Sequence, residues 1–393
     1  MTDYFKEAEA IENELISNRR RIHENAELGF DLPKTIETVK QALRSYGYEP
    51  QELGGGITCT CGRRGKTLLL RADMDALPQN EESGLPFACR DGACHSCGHD
   101  AHTAMLLGAA KLLREHESEL GGTVKFMFQP AEELLKGSQS MIDAGILRDP
   151  DVDAAMGLHM NFGPCGPHDL RVGTMGYGEK EMMASADEFR ITVKGKPSHG
   201  STPEGGVNAV SIAAAIITAA QQMMTLEFSC DDPTVLAFCK LNAGTAANII
   251  PEDAEIMGNI RAFSRGNREH VKKRLGEITE SVARTWRGTA ELEFTVGTDP
   301  NVNDEEMAAE MSLYAEDVME RVVAIKPVRG SEDFANLGKH VPSFFAVICA
   351  GGPEQGYEHA MHDPQMTWDE KALKYGTAAF CRCAEGWLAN HQE

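Results

Sequence analysis

TLLLRADMDALP, residues 67–78, is a compact apolar run that gives way to an arginine, two aspartates at 73 and 75, and a closing proline. Such a run reads as a buried strand that delivers acidic groups at its C-terminal end. Similar segments follow. TVKFMF (123–128) is short and β-rich and breaks at Pro130, AAMGLHM (154–160) carries a polar residue near its end, and SFFAVICAGG (343–352) is one more apolar strand. Between them, residues 8–25, 35–46 and 101–117 repeat apolar positions at helical spacing. Strands alternating with helices predict an α/β fold with a mostly parallel sheet, whose functional groups gather beyond the strand C-termini. Asp73, Asp75, Glu132, Glu133 and His159 all satisfy that rule.

After GTMGYGEKEMMAS (173–185) the pattern changes to FRITVKG, an apolar helix at 209–224, TVLAFCKLNAG, AEIMGNIRAF, a charged helix and AELEFTV. This strand-helix-strand-strand-helix-strand order predicts a small ferredoxin-like α+β module. Near Thr298 the chain returns to the first pattern. The expected division is therefore a catalytic domain of residues 1–185 and 298–393, with an inserted lid or dimerisation domain at 186–297.

The chain carries 38 basic and 60 acidic side chains in 393 residues, a net charge of −22. That sign repels phosphate backbones and anionic lipid surfaces, so neither nucleic acid nor membrane is an expected partner. The N-terminal MTDYFKEAEAIENELISNRRR has no apolar core of signal-peptide length. A cytoplasmic protein that begins here is the expectation. The apolar stretch 209–224 is interrupted by Ser211, Thr218 and two glutamines, and reads as a helix buried in a domain or at a subunit interface. Eleven cysteines, Cys165 among them, form no regular framework and are expected to be mostly reduced core thiols.

ACHSCGHDAHT (93–103) concentrates three histidines and two cysteines. Cys97 and His99 offer a thiolate and an imidazole two residues apart, a pairing that suits zinc-like cations, although a lone pair of this kind is more often incidental. In FQPAEE, Glu132 and Glu133 follow an apolar strand and a proline. Adjacent carboxylates are usually a solvated surface pair, but burying both without a cation is costly, and this position favours one as a metal ligand and the other as a base. His159 alone reads as a hydrogen-bonded core histidine, and His362 in EHAMHDP as an exposed loop residue. Together Cys97, His99, Glu133, His159 and His362 supply five donors, enough for two metals sharing a bridging ligand or water.

RADMDALP (71–78), CHSCGHDAHTA (94–104), FQPAEE (128–133), GLHM (157–160), KGKPSHGSTP (194–203), GTAANIIP (244–251), GNIRAF (258–263), GSEDFA (330–335) and HDP (362–364) occur in that order. The chain thereby resembles the amidohydrolase branch of the di-metal aminoacylase and carboxypeptidase family, which includes hippurate hydrolases, N-acetylamino-acid deacetylases and plant auxin-conjugate hydrolases. The resemblance runs from about residue 10 to the end. It implies that Cys97, His99, Glu133, His159 and His362 bind two divalent ions, zinc or manganese with cobalt or nickel as alternatives. It implies Glu132 as general base and acid, and Asp75 as a residue that orients a ligand from behind. Asp100 and His102 are candidates for the same supporting task, with capping or surface roles as the alternative. His199 matches a histidine that reaches the partner subunit's site in similar dimers and binds the oxyanion. Asn248 and Arg261 match positions that hold the substrate carboxylate or carbonyl, with a structural ion pair as the alternative for Arg261. Cys94, Ser96, Glu204 and Arg329 depart from the branch's usual pattern at positions that bear on substrate preference.

The implied reaction is hydrolysis of an N-acyl amino acid to a carboxylic acid and a free amino acid by a homodimer joined through the small domain. A dipeptidase or carboxypeptidase of the same family is the near alternative. A cysteine nucleophile at Cys97 is disfavoured by the five-donor set, and a non-catalytic metal-binding or redox module would leave Glu132 without a use.

Overall fold

The computed structural model describes residues 2–163 and 171–392, and Cys165 lies outside them. The described chain divides into two compact units, one of Met1–Met182, Val302–Val328 and Asp333–Glu393, the other of Met183–Asn301 and Arg329–Glu332.

The larger unit is built on an eight-stranded sheet. Its order is Gln51–Leu53, Gly56–Gly62, Thr123–Gln129, Thr67–Asp73, Ala154–Asn161, Ser343–Cys349, Thr174–Tyr177 and Arg321–Ala324. The four strands from Thr123–Gln129 to Ser343–Cys349 are mutually parallel. Every residue of Thr67–Asp73, Ala154–Asn161 and Ser343–Cys349 is buried, as strands covered on both faces require. Their C-terminal ends therefore carry Asp73, His159 and Asn161 to one rim of the sheet.

The helix expected at 101–117 spans His99–Glu115, two residues earlier. Its N-cap is Gly98 at φ +92°, where an added Cβ would come within 3.2 Å of Met160 Cβ. A residue with a side chain would be strained there, so this glycine lets the loop that carries Cys97 turn directly into a helix that opens on His99. The helix lies against Ala372–Asn390, and the approach is close enough that a Cβ on Gly376 would fall 2.0 Å from Met105 Sδ.

The smaller unit is a four-stranded antiparallel sheet in the order Thr234–Ala243, Asp253–Ala262, Ala186–Lys194 and Thr289–Thr298. Helices Ala209–Glu227 and Arg265–Thr285 pack on it through Ile212, Ile216, Val271 and Leu275. The first helix is longer than the apolar stretch read from sequence. By length and composition alone it would suffice to cross a membrane, yet Ala209, Ile212, Ala213, Ile216, Ala220 and Met223 are buried in this unit's own core. All ten described cysteines are free, and only Cys230 and Cys239 are exposed.

Candidate metal centre

Five side chains from four separate segments meet at the rim of the large sheet. Cys97, His99 and His159 offer one donor atom each within 4.8 Å of one another, and so do Cys97, Glu133 and His362. The two triads share Cys97, which is the arrangement of two cations bridged by one ligand. His362 comes from the loop before the last helix, at φ +69°, and its N–H donates to Ser96 O at 2.9 Å. That bond ties the loop to the residue next to Cys97.

Hydrogen bonds fix which nitrogen of each candidate ligand is available. His99 Nδ1 donates to the Asp75 carbonyl at 2.7 Å, which leaves Nε2 to face the other candidate donors. Burial opposes a charge on this ring, but Asp73 and Cys97 outweigh it and raise its pKa well above the usual value in the metal-free chain, so a cation must displace that proton. His159 Nδ1 donates to Met160 O at 2.7 Å, and its Nε2 faces Cys97 Sγ at 3.6 Å. Two fully buried polar atoms, His99 Nε2 and Glu133 Oε1, have no hydrogen-bond partner. Orphans of this kind are rare in folded proteins. Both are cation acceptors and lie 3.9 Å apart, so the donor set fits a metal ion.

The electrostatics agree. In the metal-free chain burial, with help from Glu133, pushes the Cys97 thiol well up, and burial raises the Glu133 carboxyl to about 7. Groups that resist ionisation when no cation is present are what a site for divalent ions contains, since binding must displace their protons. His362 is shifted down by burial and by His99 and His159.

Glu132 stands beside the ligands. Its Oε2 is 3.9 Å from His99 Nε2, and its Oε1 accepts the Asp333 N–H at 3.4 Å. The turn that carries both glutamates is bracketed by Ala131 at φ +52° and Leu135 at φ +54°. Asp75 holds this turn from below, accepting the N–H of Glu132 at 2.9 Å and of Glu133 at 3.2 Å on its two carboxylate oxygens. One residue thus orients His99 with its carbonyl and the glutamate pair with its carboxylate.

His102 is bonded at both ring nitrogens, to Asp73 and to Met160 N–H. Asp100 turns away from the ligands. Its Oδ2 accepts from Arg19 Nε at 2.6 Å and His23 Nδ1 at 2.8 Å, and His23 Nε2 reaches Glu81 at 2.9 Å. Support of the ligands by Asp100 is therefore not direct. It anchors the first turn of the helix that begins at His99. Burial opposes the Asp100 carboxylate, but Arg19 and His23 hold its pKa well below the usual range.

Sequence reading missed Arg19, His23 and Glu81, and also a second buried network. Arg71 binds Asp73 at 2.7 Å, Gln129 at 2.8 Å and Asp333 at 3.1 Å. The available signal for the latter was an arginine inside an otherwise apolar strand.

In the smaller unit, His199 and Ile249 pair across a two-residue ladder, and Gly200 N–H donates to Asn248 O at 2.7 Å. His199 Nδ1 accepts the Ser201 N–H at 3.2 Å, which puts the ring proton on Nε2. Arg261 donates to Ser331 Oγ at 3.0 Å and, among the described residues, pairs with no carboxylate within 4 Å. A structural ion pair is thus not what this guanidinium makes.

Residues 69–386 match the model of peptidase family M20/M25/M40. An N-acetylcysteine deacetylase of Bacillus subtilis is 34% identical over 381 residues, covering 95% of this chain and 97% of that protein. Thermostable carboxypeptidase 2 of Saccharolobus solfataricus is 34% identical over 379 residues, covering 94% of each. A crystal structure of a dinuclear metal-binding peptidase of the M20 family from Bacillus subtilis superposes with a TM-score of 0.82 at 32% identity, over 97% of this chain and 99% of that one.

Proposed function

The chain belongs to peptidase family M20/M25/M40, and on that premise we propose that it hydrolyses the amide bond of N-acyl amino acids, with Glu132 as the base. It is a metal-dependent amide hydrolase. The observation that carries the reading is a carboxylate, Glu132, placed next to the candidate ligands and bonded through Oε1 to a backbone N–H. A structural metal site has no use for it.

Cys97, His99, Glu133, His159 and His362 would hold two divalent ions, zinc or manganese, with cobalt or nickel as alternatives. When bound, such ions orient the attacking water, lower its pKa to about 7 and polarise the substrate carbonyl. Glu132 takes a proton from that water and, as its conjugate acid, passes it to the departing amide nitrogen. Asp333 N–H bonds Oε1 and holds this carboxylate beside the candidate ligands. His199, with its proton on Nε2, is suited to donate to the oxyanion, and we assign it that task in the partner's site of a homodimer. Asn248 and Arg261 are assigned to the substrate carboxylate or carbonyl, a match supported by the unpaired guanidinium.

Dimerisation through the smaller unit is supported by apolar groups left exposed there. Val210 and Leu226 lie on the Ala209–Glu227 helix, and Val235 and Leu241 on the edge strand Thr234–Ala243. A partner protomer, not a lipid surface, is our reading of that helix in a chain of net charge −22. Free thiols in the buried core support a cytoplasmic location. Similarity to a carboxypeptidase favours a second reading, a short peptide as substrate. Both substrates present an amide next to a free carboxylate.

The test is mass-spectrometric detection of cleavage in a pool of N-acetyl, N-benzoyl and long-chain N-acyl amino acids plus dipeptides, with zinc or manganese and with a chelated control. Metal-dependent cleavage of an acyl series supports the reading. Cleavage of dipeptides alone supports the second, and cleavage that persists under chelation refutes both.

A further inference from the structure

His102 has the chemistry of a metal ligand, lies one helical turn beyond His99, and has its ring centroid 5.3 Å from that of His99. With Asp73 and His99 it even forms a group compact enough to hold an ion. Its nitrogens are nevertheless committed. Nε2 accepts the Met160 N–H at 2.7 Å, so its lone pair is used and the ring proton sits on Nδ1, 2.5 Å from Asp73 Oδ1. Asp73 Oδ2 accepts from Arg71, which holds the carboxylate in one orientation.

The chain of bonds continues past Met160. Its carbonyl accepts the Nδ1 proton of His159 at 2.7 Å, and the His102 and His159 rings lie 4.3 Å apart between centroids. Arg71, Asp73, His102, Met160 and His159 are all buried, so water cannot replace any link. The two peptide planes flanking Met160 are each held by one ring, the N–H by His102 and the carbonyl by His159.

We infer that His102 is a positioning residue: by clamping the Met160 N–H it sets the backbone whose carbonyl fixes the tautomer and aim of His159. The ordinary alternative is a core histidine that stabilises the fold without touching metal affinity. The two differ in what the side chain must do. A clamp needs only an acceptor at the Nε2 position, whereas fold stability depends as much on the buried Asp73 bond at Nδ1.

Amide side chains separate these ends. The Gln terminal amide reaches the Nε2 position and can accept the Met160 N–H, while the Asn amide reaches the Nδ1 position and serves only Asp73. The experiment is calorimetric titration of chelator-stripped wild type, His102→Gln and His102→Asn with zinc and with manganese, alongside melting of the stripped proteins. Loss of a group that orients a ligand from behind weakens metal binding by about 10–100-fold. His102→Asn should lose that much in one of two binding events, and His102→Gln should stay within about threefold of wild type. Equal losses in both variants, or none in His102→Asn, would overturn the inference. Ring 15N spectra of the stripped wild type provide a reading that needs no variant: His102 and His159 should each carry the proton on Nδ1, and a proton on His102 Nε2 would also overturn it. The inference rests on the metal-centre reading, and a wild-type chain that takes up neither ion would refute that reading separately.

Discussion

Replacing Asp75 by asparagine removes one acceptor from beneath the two glutamates and leaves the rest of the site in place. The carboxylate accepts the Glu132 and Glu133 N–H groups at 2.9 and 3.2 Å. An amide offers one oxygen and one NH2 group, so one of those backbone donors would face another donor. A hydrogen bond to a charged acceptor contributes about 1.5–3 kcal/mol. At about 1.4 kcal/mol per tenfold, the population that holds both glutamates in register falls roughly 10- to 150-fold. The turn has little reserve, because Ala131 and Leu135 adopt left-handed backbone that costs about 1–2 kcal/mol each. The Asp75 carbonyl, and with it the His99 tautomer, is unchanged by the substitution. We therefore expect kcat for the preferred N-acyl amino acid to fall by that factor with a smaller change in KM. The stripped protein should melt only several degrees lower, at about 2–4 °C per kcal/mol for a domain of this class. Steady-state kinetics with metal content measured on the same samples decides the matter. A variant within about twofold of wild-type kcat and with both ions bound would refute the claim that the Asp75 carboxylate positions the base.

Glu132→Ala should keep both ions by elemental analysis yet lose about 10²–10⁴-fold in kcat, and retained hydrolysis would remove Glu132 as the base. Metal uptake should strengthen as pH rises toward 7, because burial raises the Glu133 carboxyl to about 7 from 4.5 in the metal-free chain and a cation must displace that proton; titrations at pH 6 and 8 in buffers of different ionisation enthalpy read the released protons. The sign for stability is opposite. Between pH 4.5 and about 7 the folded metal-free chain binds a proton that the unfolded chain has lost, so its melting temperature should fall as pH rises through that window. A dimer in sedimentation, with His199→Ala reducing kcat while metal content is unchanged, is the expected outcome for the oxyanion donor, and a fully active monomer would refute its action in trans.

The strands that carry the chemistry were legible because each is an uninterrupted apolar run with a polar residue at its end, as in TLLLRAD and AAMGLHM. Their burial on both faces bears out that reading. The strands Gln51–Leu53 and Gly56–Gly62 were not, since they sit in a glycine-rich stretch whose pairing depends on partners as distant as Thr123–Gln129. The helix Ala372–Asn390 escaped notice for a different reason. Fifteen of its residues are buried, so it shows no polar stripe for periodicity to detect. At the site, the five candidate donors were legible as residue types in quoted motifs. The partners of Asp100 were not, because Arg19 and His23 lie 81 and 77 residues away in sequence and only the fold brings them to it.

Histidine shows most plainly what the sequence withholds. His23, His99, His102 and His159 are all buried, and composition cannot rank them as ligands. What separates them is the partner of each nitrogen. His99 and His159 each bond a neutral backbone carbonyl through Nδ1, which turns Nε2 toward Glu133 in the first and toward Cys97 in the second. His102 spends both nitrogens and has nothing left to offer a cation. His23 faces a carboxylate on each side, Asp100 and Glu81. Burial opposes its charge, but Asp100 and then Glu81 outweigh that and raise its pKa, and both of its nitrogens are taken by those carboxylates. With Arg19 it balances two buried acids behind the helix that opens on His99. On that side of the helix Arg19 and His23 meet Asp100 and Glu81 within the protein, whereas on the side where Cys97, Glu133 and His362 converge the acceptors His99 Nε2 and Glu133 Oε1 face one another with no cationic side chain among the described residues between them.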